Sequence, residues 1–340
     1  MEPLVSVVMT VYNYQDYVGE SIQSILSQSF ADFEFIIIDD ASIDKTSQAV
    51  NSFQDKRIRY IRNERNIGQT KSLNKGIGVA RGKYIARIDA DDIAFPKRLE
   101  LQVEFLERNP SVGVVGTWLQ SVDQNKKLIR KSRYPLMPSL PRLLLLNLFN
   151  WPCLTHPTVM IRKDVFAKTG LYNESYFISQ DYDLWLRISR HYPVRNIPHI
   201  MLNYREHSNS LSRAKRGSTR EEVRQIIIAN VRFFLPDLGE KEYDSLVRLL
   251  MFERQLDPYT GKVAFNFLDI LLDSLKNKAV NINSKELIYF KKMARLFYAP
   301  RLFLTNPVMA LGIMAKALRG GNRGVFSFRF AKSVGHAIFT

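Results

Sequence analysis

Three carboxylates crowd into four positions where the apolar run Tyr84-Ile85-Ala86-Arg87-Ile88 gives way to Asp89-Ala90-Asp91-Asp92. One residue separates Asp89 from Asp91, so on a continuing strand both side chains point the same way. Carboxylates held this close repel each other unless a cation or a proton lies between them. A hard divalent ion resolves the conflict: one or two carboxylates hold it, and substrate phosphates fill its other positions. An Asp-rich turn facing water is the plainer use of such a run.

Three more apolar runs end in residues able to do chemistry. The first ends at Thr10-Val11-Tyr12-Asn13, the second at Asp39-Asp40-Ala41-Ser42, and the third leads to Asn63-Glu64-Arg65-Asn66-Ile67-Gly68. Ligands of an open α/β sheet bind beyond the carboxyl ends of its strands. There Tyr12 offers a ring for stacking a base, and Asp40 an acceptor for a base N–H. Asp89 can bind ribose hydroxyls, and Asp91 can bind a metal that bridges two phosphates.

The elements that must position these residues follow from periodicity. Residues 4–10, 33–38, 57–61 and 83–88 read as strands. Residues 14–29, 42–53, 70–80 and 96–108 read as helices, from apolar spacing and from end signals such as Pro96. This alternation predicts a mostly parallel sheet covered on both faces by helices. Further strands are expected at 112–118, 159–161 and 197–204, with helices at 138–150, 162–169 and 181–191. Beyond residue 218 the pattern is helical throughout: about 219–234, 240–252, 262–275, 284–297 and 307–318. The predicted boundary divides residues 1–215, an α/β catalytic domain, from residues 216–340, an all-helical region.

A chain of 340 residues allows about two domains, and 46% hydrophobic content is enough for a real core. Cys153 is the single cysteine, which rules out an internal disulfide. No charged segment followed by an apolar one opens the chain, so no signal peptide is expected. The net charge of +16 calls for an anionic partner. No acidic residue follows Glu286, whereas Lys291, Lys292, Arg295, Arg301, Lys316, Arg319, Arg323, Arg329 and Lys332 all do. The uncharged stretch 302–315 is 14 residues long, short of the roughly 20 needed to span a bilayer. It fits a basic, interfacial segment on an anionic membrane, or a helix packed on its own domain.

Taken together, the motifs resemble those of an inverting family 2 glycosyltransferase of the GT-A fold. The resemblance rests on Val5-Ser6-Val7-Val8-Met9-Thr10-Val11-Tyr12-Asn13, Ile36-Ile37-Ile38-Asp39-Asp40-Ala41-Ser42, Asn66-Ile67-Gly68, Asp89-Ala90-Asp91-Asp92 and Gln180-Asp181-Tyr182-Asp183-Leu184-Trp185. It covers about residues 3–210 and implies a Rossmann-like sheet that binds a nucleotide-sugar donor, usually a UDP-sugar. By the resemblance, Thr10, Tyr12, Asn13 and Asp40 hold the nucleotide and Asp89 lies near the ribose. Asp91 and His207 hold manganese or magnesium, and Asp181 is the general base. Asp183 reads as structural or capping.

Two departures stand out: Gln180 replaces a usual Glu, and Leu73 stands where the family often has Arg, with Lys71 as a substitute cation. Gln-X-X-Arg-Trp, the motif of processive synthases, is absent, which favours one sugar per encounter. The expected acceptor is a glycan or a lipid-linked molecule in cell-surface glycan synthesis, on the cytoplasmic face of the membrane. Trp151 is a candidate for stacking on it. Two rival readings remain at this level. A sugar nucleotidyltransferase would want a Gly-rich loop after the first strand, and a nucleic-acid-binding protein would explain the charge but lacks a known module; no nucleic acid is expected as a partner.

Overall fold

A strand flanked on both sides and covered on both faces must be apolar along its whole length. β1 (Val5–Val11) and β2 (Phe33–Asp39) come close to that condition: both are buried at every position in the computed structural model of the chain, with Ser6, Thr10, Glu34 and Asp39 the polar exceptions. The structure describes residues 2–134, 153–207, 216–251, 270–271 and 273–274. The expected helices at 138–150, 262–275, 284–297 and 307–318 lie wholly or almost wholly outside these residues, as do Trp151 and the basic C-terminal tail.

β2 pairs in parallel with β1, β3 (Ile58–Arg62) with β2, and β4 (Tyr84–Asp89) with the other side of β1. Val11 lies opposite Asp39 and Thr10 opposite Asp89, so the register gathers the chemistry-bearing ends on one edge. Beyond β4 the sheet becomes mixed. β8 (Met160–Arg162) runs antiparallel to both β4 and β6 (Val114–Val122). β9 (Val194–Arg205) runs parallel to β6, while β7 (Leu128–Ser132) and the two-residue β5 (Ile93–Ala94) add antiparallel pairs. The order is β3-β2-β1-β4-β8-β6-β9-β5, with β7 beside β6. The parallel pattern thus runs unbroken through the first four strands and returns between β6 and β9. β5 matters most: Ile93 pairs with Asn203, which brings the end of β9 beside the acidic turn.

The helices form where the periodicity puts them, but three start late, at Val18, Thr46 and Val165 against the expected 14, 42 and 162. α1 is Val18–Leu26 and α2 is Thr46–Asn51. The loops ahead of them bond to each other instead of coiling. Tyr14 N donates to Thr46 Oγ1 (2.9 Å), Gln15 N to Asp44 Oδ2 (3.1 Å), and Lys45 N to Gln15 Oε1 (2.9 Å). Side-chain acceptors of this kind compete with helical bonds. α3 (Gln69–Val79), α4 (Arg98–Arg108), α5 (Val165–Thr169) and α6 (Gln180–Ser189) complete the set around the sheet. One continuous core joins alternate residues Val5, Val7, Met9 and Val11 to Val18, Ile22 and Ile25 of α1 and Leu99, Val103 and Leu106 of α4.

The chain divides into two units, residues 1–223 and 224–340. α7 (Arg216–Phe234) begins in the first and ends in the second, where α8 (Glu240–Leu250) follows. The second unit has its own apolar contacts, with Ile226, Ile227, Val231, Phe234, Leu246 and Val247 buried. Among the described residues, no helix is long and apolar enough to cross a membrane.

Candidate active site at the carboxyl edge of the sheet

Asp89 is the last residue of β4 and shares a face with Arg87, two positions back. The buried Arg87 Nη2 makes a short ion pair with Asp89 Oδ1. Its Nε and Nη1 have no protein partner. Asp91, in the turn, lies with Oδ2 2.8 Å from His207 Nε2. Asp92 faces inward and accepts Arg205 N at 3.0 Å, leaving Oδ2 unpartnered. One oxygen from each of the three carboxylates falls within 4.8 Å of the others. Burial, with Asp91 adding and Arg87 opposing, holds Asp89 above the usual carboxyl range. Burial and both neighbouring carboxylates push Asp92 well above it.

Arg205 fixes this turn. Its Nε donates to Asp91 O (2.9 Å), its Nη1 to Gln124 O (3.1 Å) and its Nη2 to Glu20 Oε2 (2.5 Å). The same guanidinium lies 4.9 Å from the Tyr17 ring, and Tyr17 stacks on the His207 imidazole at 4.8 Å. His207 is therefore buried and oriented beside Asp91, with Nδ1 unpartnered. The clustered carboxylate oxygens are compatible with a divalent cation.

The second strand end is organised differently. Asp40 is buried and accepts three bonds: Asn63 Nδ2 (2.8 Å) and Ile67 N (2.9 Å) on Oδ1, and Gly68 N (2.8 Å) on Oδ2. Its carboxylate shapes the loop into α3 and keeps acceptor capacity on Oδ2 for a ligand. Asn13, with φ +58°, accepts Ile43 N on its side chain (2.9 Å) and donates its own N–H to Ser42 Oγ (3.0 Å). That ties the first two strand ends together. Thr10 is almost covered, whereas Tyr12 is 41% exposed beside them.

Asp181 sits in the first turn of α6 and keeps an exposed edge. Burial raises its carboxyl to about 6, against the Tyr182 N–H and the charge of Arg87, which both favour the ionised form. The charge of Asp89 also reaches it. Asp183 faces away and pairs with Arg187 Nη2 at 2.7 Å, a structural role within the helix. Gln180 is buried, with Nε2 3.4 Å from Gln69 Oε1 and its own Oε1 unpartnered.

Residues 6–170 match the model of glycosyl transferase family 2. An uncharacterized glycosyltransferase of Methanocaldococcus jannaschii is 39% identical over 224 residues, which cover 63% of this chain and 76% of that one. The O-antigen biosynthesis glycosyltransferase WbnJ of Escherichia coli is 36% identical over 62% of this chain and 83% of its own. The chain belongs to glycosyl transferase family 2.

The fold of this glycosyltransferase is also that of S. aureus TarS 1-349 in complex with UDP-GlcNAc, with a TM-score of 0.60 and 17% identity over 94% of this chain and 90% of that one. A mannosyltransferase from Pyrobaculum calidifontis, in complex with GDP-Man and Mn2+, aligns with a TM-score of 0.51 and 18% identity over 93% and 86%. Membership in the family sets aside the nucleotidyltransferase reading.

Four residues of this glycosyltransferase that sequence reasoning did not assign belong to the site: Arg87, Asp92, Arg205 and Lys75. Lys75 Nζ donates to Asn63 Oδ1 at 2.7 Å, behind Asp40; Lys75 and Lys71, the cation expected there, are both exposed. An arginine inside an apolar strand run was the available signal for Arg87, since buried arginines are rare unless paired. Arg205 offered a weaker one, as the residue two before His207.

Proposed function

We propose that this glycosyltransferase moves one sugar from a nucleoside diphosphate sugar, a UDP-sugar, to a hydroxyl of a glycan or lipid-linked acceptor, with inversion and with help from magnesium or manganese. The observation that carries this reading is the pairing of two carboxyl environments: a crowded acidic turn at Asp89, Asp91 and Asp92, and a separate carboxyl, Asp181, titrating near 6. TarS with UDP-GlcNAc supports the choice of uridine, and WbnJ, named for O-antigen biosynthesis, supports a cell-surface product.

Each residue has a stated task. Tyr12 and Asp40 receive the base, Thr10 and Asn13 shape the floor below it, and Asp89 faces the ribose. Asp91 and His207 would hold the divalent ion, which supplies Lewis-acid stabilisation of the leaving diphosphate when bound. Asp181 takes the proton of the acceptor hydroxyl as its oxygen bonds to C1 and the C1–diphosphate bond breaks. The transition state is oxocarbenium-like, and a single displacement inverts the anomeric centre.

A panel of UDP- and GDP-sugars, assayed for nucleotide release with magnesium, manganese or chelator, tests the reading. Turnover of one UDP-sugar that needs the ion, and that disappears in Asp91→Ala, is the expected result. Near-normal turnover of Asp91→Ala in chelator would overturn the metal assignment, and release from GDP-sugars alone would overturn uridine.

A further inference from the structure

The base helix does not cap itself. The N–H groups around the start of a helix have no intrahelical acceptor and must find one elsewhere. α6 opens at Gln180, and Ser179 at its N-cap makes no side-chain capping bond. The three N–H groups ahead of Gln180 are taken by one carboxylate from another element. Glu222 of α7 accepts Phe177 N at 2.7 Å on Oε1, and Ile178 N at 3.0 Å and Ser179 N at 2.8 Å on Oε2. The contact is made within the first unit, whose last residue is Val223.

The rest of the approach to α6 is anchored on α3. Thr70 Oγ1 donates to Tyr176 O (2.8 Å), while Asn74 donates to Tyr172 O (2.9 Å) and accepts Tyr172 N (3.1 Å). The backbone anchors on α3 stop at Tyr176, and past it Gln180 reaches Gln69 by its side chain alone (3.4 Å). Between Tyr176 and Asp181, Glu222 holds three successive backbone N–H groups. Bonds from N–H groups to an ionised carboxylate are short and about twice as strong as neutral ones. Asp181 lies two residues past the last of them.

We propose that Glu222 is a positioning residue for the reaction: its carboxylate clamps the backbone of residues 177–179 and so aims Asp181 at the acceptor hydroxyl. The proposal rests on the reading of Asp181 as base. It extends the working parts of the site into α7, beyond the residues 6–170 that match the family model. Displacing a reacting group by about 1 Å can lower a rate about 10²-fold, so a clamp two residues from the base has leverage.

A double-mutant cycle separates positioning from general support. Rates of nucleotide release from the UDP-sugar that the wild type turns over are measured for Glu222→Ala, Glu222→Gln, Asp181→Asn and the double variant Glu222→Ala/Asp181→Asn. UDP affinity is measured by calorimetry for each. Glu222→Ala is expected to lower kcat by about 10–10²-fold with UDP affinity changed less than about 2-fold. Glu222→Gln, which keeps one acceptor oxygen, should fall between it and wild type. In the Asp181→Asn background the Ala substitution should lower the rate no further, because groups acting as one unit are non-additive. Equal fractional losses in both backgrounds, or an unchanged kcat in Glu222→Ala and Glu222→Gln, overturn the proposal. Full activity of Asp181→Asn overturns the base reading instead, and the clamp with it.

Discussion

Asp181 is where environment most changes what a residue can do. An aspartate in water is ionised far below neutrality, whereas burial lifts this one to about 6. A carboxyl so placed suits the proposed role of base, ionised at neutral pH yet still holding a proton well. The acid limb of kcat/KM should therefore fall as pH drops through about 6, and Asp181→Asn should lose at least about 10²-fold in rate. The same shift carries a stability consequence that needs no substrate. The folded state binds this proton more tightly than the unfolded one, so the carboxyl's favourable contribution is whole below its unfolded value. It is lost as pH rises through about 6. Asp181→Asn should thus raise the melting temperature at pH 8 relative to wild type, and do so much less at pH 4. An equal effect at both pH values would contradict the raised carboxyl. The residue types at this edge of the sheet were legible in the sequence. Their partners did not: nothing in the sequence says that Asp40 holds Ile67 and Gly68, since those bonds need the loops to be folded together.

Elements were legible where one rule governs a long stretch, and less so where partners decide. The first four strands are largely apolar, and each sits within a residue of its predicted bounds. β5 has two residues and no periodicity to show, yet it joins the acidic turn to β9. α1 and α2 start late because side chains in their lead-in loops bond each other, which local propensity cannot reveal. α3 offers a test of how far packing overrides propensity. Gly to Ala inside a helix ordinarily stabilises by about 1 kcal/mol. At Gly78 a Cβ would meet nothing within 4 Å, so Gly78→Ala should stabilise by up to about that amount. At Gly76 it would stand 2.7 Å from Val8 Cγ1 and 3.3 Å from Ile38 Cγ1, against β1 and β2. Gly76→Ala should therefore destabilise, by about 1–3 kcal/mol as overpacking does. Urea denaturation of both variants reads the two signs. The same sign at both positions would mean that α3 rests on the sheet less tightly than the structure has it.

At the scale of the whole molecule, the excess of positive charge needs a partner, and its distribution points to the C-terminal end. The net charge is +16, and nine lysines and arginines follow Glu286 with no acidic residue among them. Within the catalytic unit, by contrast, the arginines lining the site are matched: Arg87 by Asp89, and Arg205 by Glu20. Charge that is balanced locally does not steer the molecule, whereas an unbalanced, partly apolar tail does. A basic side chain near an anionic bilayer contributes about 1 kcal/mol, and apolar groups around Leu302 and Met309 would add to it at the headgroup boundary. We therefore expect the full chain to co-sediment with vesicles containing phosphatidylserine or phosphatidylglycerol but not with pure phosphatidylcholine. Raising the salt should weaken the binding, because screening shortens the reach of each charge to about 3 Å at 1 M. A chain shortened at residue 290 should lose it while keeping UDP affinity. Equal retention on neutral vesicles would make the interaction apolar rather than electrostatic. No retention of the folded full chain on anionic vesicles would leave the tail without a membrane role and the catalytic assignment untouched, because the residues proposed for catalysis all precede Val223.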